Sequence, residues 1–158
     1  MTELPAAAHR VQTVAAELRL PIAVRLMPAS TRTAAEAAEA CGCGPGQIVK
    51  SLIFRGKNSG HGYLLLVSGT NRVHEEHVGN LIGEPITRPD ADFVRAVTGF
   101  AIGGVPPFGH DTVMAAYFDE DLLQYETVWA AAGTPTAVFS VDPAQLRAAI
   151  GARLIVVK

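Results

Sequence analysis

The sequence predicts a single α+β unit whose many short strands curl into a barrel-like sheet. Three observations carry that reading. Strand-like and helix-like runs succeed one another, each short and bounded by Gly, Pro, Asn or Asp. No linker, internal repeat or low-complexity tract divides the 158 residues, a length that suits one domain over residues 1–158. Hydrophobic residues make up 49% of the chain and charged ones 18%, which supplies a substantial core.

The elements follow in order. Leu4, Ala7, Ala8, Val11, Val14, Ala15 and Leu18 recur at helical spacing, with Arg10, Gln12 and Glu17 mostly elsewhere, so the chain opens with a helix that has one buried stripe and that Pro21 stops. Ile22 to Met27 reads as a short strand. Thr33 followed three residues later by Glu36 is a capping-box pattern; it opens an alanine-rich helix through about Cys41, ended by Gly42, Gly44, Pro45 and Gly46. Ile48 to Phe54 is the clearest strand, and the turn from Gly56 to Gly62 joins it to Tyr63–Val67 as a hairpin. Val73 to Ile82 is helical with Gly83 just past its end, and Pro89-Asp90-Ala91-Asp92 starts a further helix that reaches Thr98. Thr112–Phe118, Thr127–Ala131 and Thr136–Val141 read as strands, with a helical turn at Asp119-Glu120-Asp121 and a tight connection at Gly133-Thr134-Pro135. Asp142 caps a last helix with Pro143 at its first position and Gly151 at its end, and Arg153 to Val157 closes the chain as a strand.

Composition excludes several classes. The formal net charge of −2 is not that of a broadly basic nucleic-acid binder, so any RNA contact is local and its salt dependence shallow. Cys41 and Cys43 are too close in sequence for an easy disulfide, and no cysteine-rich framework is present; a reducing cytoplasm fits best. Neither a signal-peptide pattern nor an apolar run of membrane-spanning length occurs. The cluster His74-Glu75-Glu76-His77 has the wrong spacing for a zinc helix and lacks a further ligand, so no metal is expected, and no cofactor.

Two stretches carry candidate chemistry. Thr98 to Gly109 holds Gly99, Phe100, Gly103, Gly104, Val105, Pro106, Pro107, Phe108 and Gly109, too rich in Gly and Pro for an ordinary helix or central strand. Glycine lets a ligand approach the main chain and the two prolines stiffen it. The amides free to face a ligand are those of Gly103, Gly104, Val105, Phe108 and Gly109; the plainer reading is a structural turn. The second stretch is the strand from Ile48, where alternation puts Lys50 on the face of Ile48, Leu52 and Phe54. Either the lysine stem packs there and its ammonium snorkels out, or the ammonium serves an anion in a pocket. Neither a G-x-S-x-G elbow nor a Cys–His motif is recognisable.

Together, Ile48-Val49-Lys50-Ser51-Leu52, the loop from Thr98 through Gly103 to Gly109, and Ala132-Gly133-Thr134-Pro135 resemble the YbaK and prolyl-tRNA synthetase-associated editing domain family. The similarity in order and spacing runs from about Thr31 to the last helix. Its most specific element is the pairing of a strand lysine with a downstream G-x-x-x-P loop, here Gly103 to Pro107. The resemblance implies a mixed, mostly antiparallel barrel-like sheet flanked by helices, and a freestanding trans-editing deacylase that hydrolyses the ester of mischarged tRNA. It implies an essential role for Lys50, and a loop, Gly103 to Pro107, that shapes the pocket beside the scissile ester, with Gly103 catalytic and Gly99, Phe100, Gly104–Gly109 and Gly133 around the substrate. The implied partners are the acceptor end of mischarged tRNA and an aminoacyl-tRNA synthetase. Ser51 stands where many relatives carry threonine, and Pro106 where some cysteine-specific members carry serine, so the cognate amino acid stays open among alanine, cysteine and proline. Two other readings remain: a non-catalytic module that binds aminoacyl-tRNA or a synthetase, and a nucleotide-binding domain that uses Gly103–Gly109 as an anion nest.

Overall fold

A computed structural model of the chain describes residues 3–158. Among these, five helices alternate with eight strands: α1 (Ala6–Glu17), β1 (Arg25–Leu26), α2 (Ala34–Cys41), β2 (Ile48–Gly56), β3 (Gly62–Ser68), α3 (Glu75–Ile82), β4 (Ile86–Thr87), α4 (Ala91–Thr98), β5 (Ala115–Asp119), β6 (Val128–Ala131), β7 (Ala137–Val141), α5 (Pro143–Ile150) and β8 (Arg153–Ile155). One sheet contains all the strands in the order β1-β7-β6-β2-β3-β5-β8, with β4 on β2. β1/β7, β6/β7, β2/β3 and β2/β4 are antiparallel, whereas β2/β6, β3/β5 and β5/β8 are parallel. The sheet is thus mixed and mostly antiparallel, as the resemblance implies.

Both faces of the sheet are covered, which explains why β2 and β3 read as nearly continuous apolar runs. On one side Val49 and Ile53 of β2 join Ala8, Val11 and Ala15 of α1, Val94 of α4, Phe139 of β7 and Leu146 of α5 in the main core. On the other, Phe54, Leu65 and Val67 pack with Val78 of α3, while Ile48 packs with Ala37 and Ala38 of α2. The alternation read from the sequence is correct: successive residues of β2 go to opposite faces.

The caps formed where the sequence placed them. The Thr33 hydroxyl accepts the Glu36 N–H at 3.1 Å, Asp90 accepts the Phe93 N–H at 2.9 Å, and Asp142 accepts those of Ala144 and Gln145. His74 caps α3, its Nδ1 accepting the His77 N–H. The differences have physical causes. α1 ends at Glu17, with Arg19 left-handed at φ 59°, so the chain has already turned before Pro21. The strand expected from Ile22 is reduced to Arg25–Leu26 because the Gln12 side chain on α1 pairs with the Ile22 carbonyl and the Val24 amide instead. The strand expected from Thr112 begins at Ala115, since the Thr112 N–H is bonded to the Val97 carbonyl. The last strand stops at Ile155, and the Val157 carbonyl accepts the His74 N–H. The two-residue β4 was not foreseen.

Candidate active site

A pocket of about 460 Å³ lies along one edge of β2. Every residue from Ile48 to Phe54 lines it; a pocket on one face of a strand would be lined by alternate residues only. The reason is a gap in the sheet. β6 pairs with β2 only at Ile48 and Val49, and β4 pairs only at Arg55 and Gly56, leaving Lys50 to Phe54 with β3 on one side and the pocket on the other. Backbone parity follows from two bonds on the β3 side, from the Gly69 N–H to the Ile48 carbonyl and from the Gly56 N–H to the His61 carbonyl. Even-numbered residues therefore turn their N–H and C=O toward β3, and the odd-numbered Ser51 and Ile53 turn theirs into the pocket.

Lys50 sits at this edge, and its ammonium donates to the Asn71 carbonyl at 2.6 Å. Asn71 is held in turn, its Nδ2 donating to Asp119 and Asp121 at 2.8 Å each. The lysine therefore neither snorkels freely nor points unsupported into the pocket: one donor is anchored and the others remain. Burial lowers its pKa below 10.5, and Arg88 and Arg72 push the same way, while Asp119 opposes them. Arg32, Lys50 and Arg88 all line the pocket, and among the described residues the lining contains no Asp, Glu, His or Cys. Its polar character is cationic, with the hydroxyls of Thr31, Thr33 and Ser51 beside it. Nothing in the local pattern singles out Arg32 or Arg88, which reach the pocket from segments before α2 and after β4.

The opposite wall is Ile102, Gly103, Gly104 and Val105. The loop that carries them is closed at its base, where Asp111 N–H bonds to Thr98 carbonyl and Thr112 N–H to Val97 carbonyl. Gly99, left-handed at φ 80°, caps α4. Phe100 is 3% exposed and Phe108 5%, and Pro106 and Pro107 are buried with them. These residues support the wall from behind and do not line the pocket. Phe108 packs on Phe139, the His110 ring bonds to the Pro106 carbonyl at 2.7 Å and meets Phe100 edge-on, and Arg10 lies over Phe100 while pairing with Asp111 at 2.7 Å. Gly133 sits against Gly104, donating its N–H to the Gly104 carbonyl at 2.8 Å, and Gly109 faces Val14 of α1. The Gly104 N–H is used inside the loop, on the Ala101 carbonyl. Among the described residues no partner takes the amides of Gly103 or Val105.

Cys41 and Cys43 are free thiols outside the pocket lining. Burial, then the neighbouring Cys43, pushes Cys41 up to about 11, so it is a thiol and not a thiolate at neutral pH. No helix among the described residues is long and apolar enough to cross a membrane.

The comparisons with known proteins bear on the family and the fold. Residues 28–149 match the model of the aminoacyl-tRNA editing domain family. A crystal structure described as that of "a putative trans-editing enzyme for prolyl tRNA synthetase" is 48% identical, superposes with a TM-score of 0.92 and is matched over 99% of both chains. That of hypothetical protein APE2540 is 30% identical with a TM-score of 0.87, over 94% of this chain and 98% of the other. "Uncharacterized protein YwhH" of Bacillus subtilis (strain 168) is 30% identical over 117 residues, 74% of each chain. By the extent of that family match and by its fold, the chain belongs to the aminoacyl-tRNA editing domain family.

Proposed function

We propose that the protein is a deacylase acting in trans, which hydrolyses the ester between a small amino acid and the terminal adenosine of a mischarged tRNA, with proline tRNA the preferred carrier. The observation that carries this reading is the pocket itself, cationic on the β2 side and amide-bearing on the loop side, with no carboxylate or thiol in its lining. Such a site suits an anionic nucleotide end and an activated ester that needs no protein nucleophile.

The chemistry requires little more. Water attacks the ester carbonyl carbon, the bond from that carbon to the ribose oxygen breaks, and the ribose oxygen takes a proton, leaving free amino acid and uncharged tRNA. In this reading the amides of Gly103 and Val105, which have no partner among the described residues, receive the negative charge that develops on the carbonyl oxygen, where one aimed donor contributes about 3 kcal/mol. Lys50, with Arg32 and Arg88, holds the phosphate of the tRNA end or the same developing charge. Val105, Ile53, Val94 and Val138 restrict the space for the amino-acid side chain, so size sets the upper limit. Discrimination among small side chains stays near 1–3 kcal/mol per methylene. A prolyl-tRNA synthetase is the partner that would generate the substrate, in the cytoplasm where translation occurs.

The test is a deacylation screen over a panel of mischarged tRNAs. Turnover of alanyl, cysteinyl or prolyl esters with little turnover of phenylalanyl esters is expected. Absence of turnover across the panel would overturn the enzyme in favour of a binding module, and equal rates on alanyl and phenylalanyl esters would overturn the size limit.

A further inference from the structure

The unpaired stretch of β2 is an open strand edge enclosed in a pocket. Ser51 and Ile53 present N–H and C=O groups there, between the last pairing with β6 at Val49 and the first with β4 at Arg55. Edges of this kind are templates for one more extended segment, and buried backbone groups are normally paired. A second observation converges on the same residue. The Ser51 hydroxyl is the one buried side-chain polar atom among the described residues that has no hydrogen-bond partner, and Ser51 lines this pocket. A buried orphan of this sort is rare, and it marks Ser51 as a position where the fold leaves polar groups unpaired beside the pocket.

We propose, resting on the deacylase reading above, that the aminoacyl group docks on Ser51 as one strand residue pairs with another. An aminoacyl ester carries a donor, the α-ammonium, and an acceptor, the carbonyl oxygen, on either side of one Cα. A residue in an extended chain has the same arrangement, and a hydrogen-bonded strand pair exchanges both bonds between two residues. The Ser51 carbonyl accepts from the ammonium, and the Ser51 N–H donates to the ester carbonyl and polarises it for attack. The amino-acid side chain then stands out of the plane of the pairing, and the ribose continues along the edge toward Ile53. This pairing selects for a free α-amino group whatever the side chain, a selectivity that a wall of apolar residues cannot supply.

Two measurements test it. The probes are adenosine carrying a 3′-alanylamide, which is not hydrolysed, and its propionyl counterpart, which lacks the amine. With isotope-labelled protein, the alanyl probe should shift the Ser51 amide resonance and slow its hydrogen exchange, and the propionyl probe should bind at least tenfold more weakly, the scale of one lost charge-assisted bond. A probe that shifts Lys50 and Gly103 to Val105 but leaves the Ser51 amide unchanged, in a protein that deacylates tRNA, overturns the pairing and leaves the function standing. A protein that deacylates no mischarged tRNA overturns the function and the pairing with it. The second measurement uses proline, which is tolerated where a strand N–H faces away from its neighbours. Ser51→Pro should fold and lose turnover by tenfold or more, whereas Leu52→Pro, whose N–H faces β3, should not fold. Ser51→Pro with the wild-type rate, or without a fold, overturns the assignment.

Discussion

The two walls of the pocket expose backbone to a ligand by opposite means. On the β2 side, a regular strand is left without a neighbour on one edge for five residues, because β6 departs after Val49 and β4 arrives at Arg55. On the other side, an irregular loop is held in place by what lies behind it: the bonded base at Thr98 and Asp111, the buried Phe100 and Phe108, and the ring of His110 on the Pro106 carbonyl. The strand owes its geometry to β3, so Lys50 within it is free to serve function, although its neighbours Val49, Ile53 and Phe54 also belong to the core. The loop owes its geometry to close packing, so its residues are committed to structure. Replacing Lys50 on the first wall should therefore change rate and spare stability, and filling the tightly packed glycines of the second should do the reverse.

The largest effect is expected at Lys50. Lys50→Met keeps most of the stem and removes the charge, so it should lose about 10²-fold or more in deacylation rate, the scale of one electrostatic stabiliser, with a melting temperature near that of the wild type. The pH dependence has the matching sign. Burial, with Arg88 and Arg72, depresses the lysine below 10.5, so the ammonium is disfavoured in the fold, and raising the pH from that depressed value to 10.5 relieves the fold and does not weaken it. Rate should fall on the alkaline side through a value below 10.5 while the protein stays folded, and that limb should vanish in Lys50→Met. A variant with the wild-type rate would remove Lys50 from the site even with the family correct.

Gly104 tests the other wall. A Cβ there would lie 2.8 Å from the backbone N and C of Thr134, and backbone cannot move aside as a side chain can. Gly104→Ala should cost about 1–3 kcal/mol of stability by overpacking, read from denaturant unfolding, and should lower the rate only in proportion to the folded fraction. Gly103 offers a contrast within the same wall. Its φ of 98° is costly for any other residue, but its nearest neighbour is the flexible Arg32 side chain, with Cγ at 3.2 Å, so Gly103→Ala should cost about 1–2 kcal/mol for conformation and disturb Arg32 as well. Should Gly104→Ala leave stability intact and abolish turnover, the distinction between the walls would be wrong.

What the sequence made legible follows the same division. Lys50 stood out because a cation interrupts an apolar alternation, and the loop because glycine and proline have strong local signatures; the helix caps at Thr33, Asp90 and Asp142 were equally local. The gap in the sheet had no such signal. It depends on β6 pairing for only two residues and on a two-residue β4, both set by tertiary contacts; Arg88 enters the pocket just after β4, and Arg32 from the segment before α2. Pro106, Pro107 and Phe108 turn inward although their composition suggests a ligand wall, because Phe139 and the α1 side of the core offer them more apolar contact than the pocket does.

A smaller effect is expected at Glu84, which fixes the far end of the open edge. Its carboxylate accepts from the Asn58 and Ser59 amides and from the hydroxyls of Ser59 and Tyr63, two residues before β4 rejoins β2. The Ser59 hydroxyl first, then that of Tyr63, lowers Glu84 from 4.5 to about 2. A depressed carboxylate contributes stability that is present above 4.5 and lost as pH falls toward 2. Glu84→Gln should flatten the acid slope of the unfolding free energy in that window and leave the rate at neutral pH unchanged. An unaltered acid slope would show that this end of β2 is held by something else.

The smallest effect belongs to α2, whose two ends differ as the two walls do. Its first turns reach the pocket through Ala34 and Ala37, whereas its last residue, Cys41, and the following Cys43 lie outside the lining and carry thiols raised by burial. Raised thiols are poor nucleophiles and poor metal ligands at neutral pH, and no group of three or more His, Cys, Asp or Glu suited to a metal forms among the described residues. The double variant Cys41→Ser/Cys43→Ser should deacylate at the wild-type rate, and chelator should leave both proteins unaffected. Loss of turnover in the double variant with its fold intact would mean that α2 contributes chemistry from its far end, and the pocket along β2 would then be only part of the site.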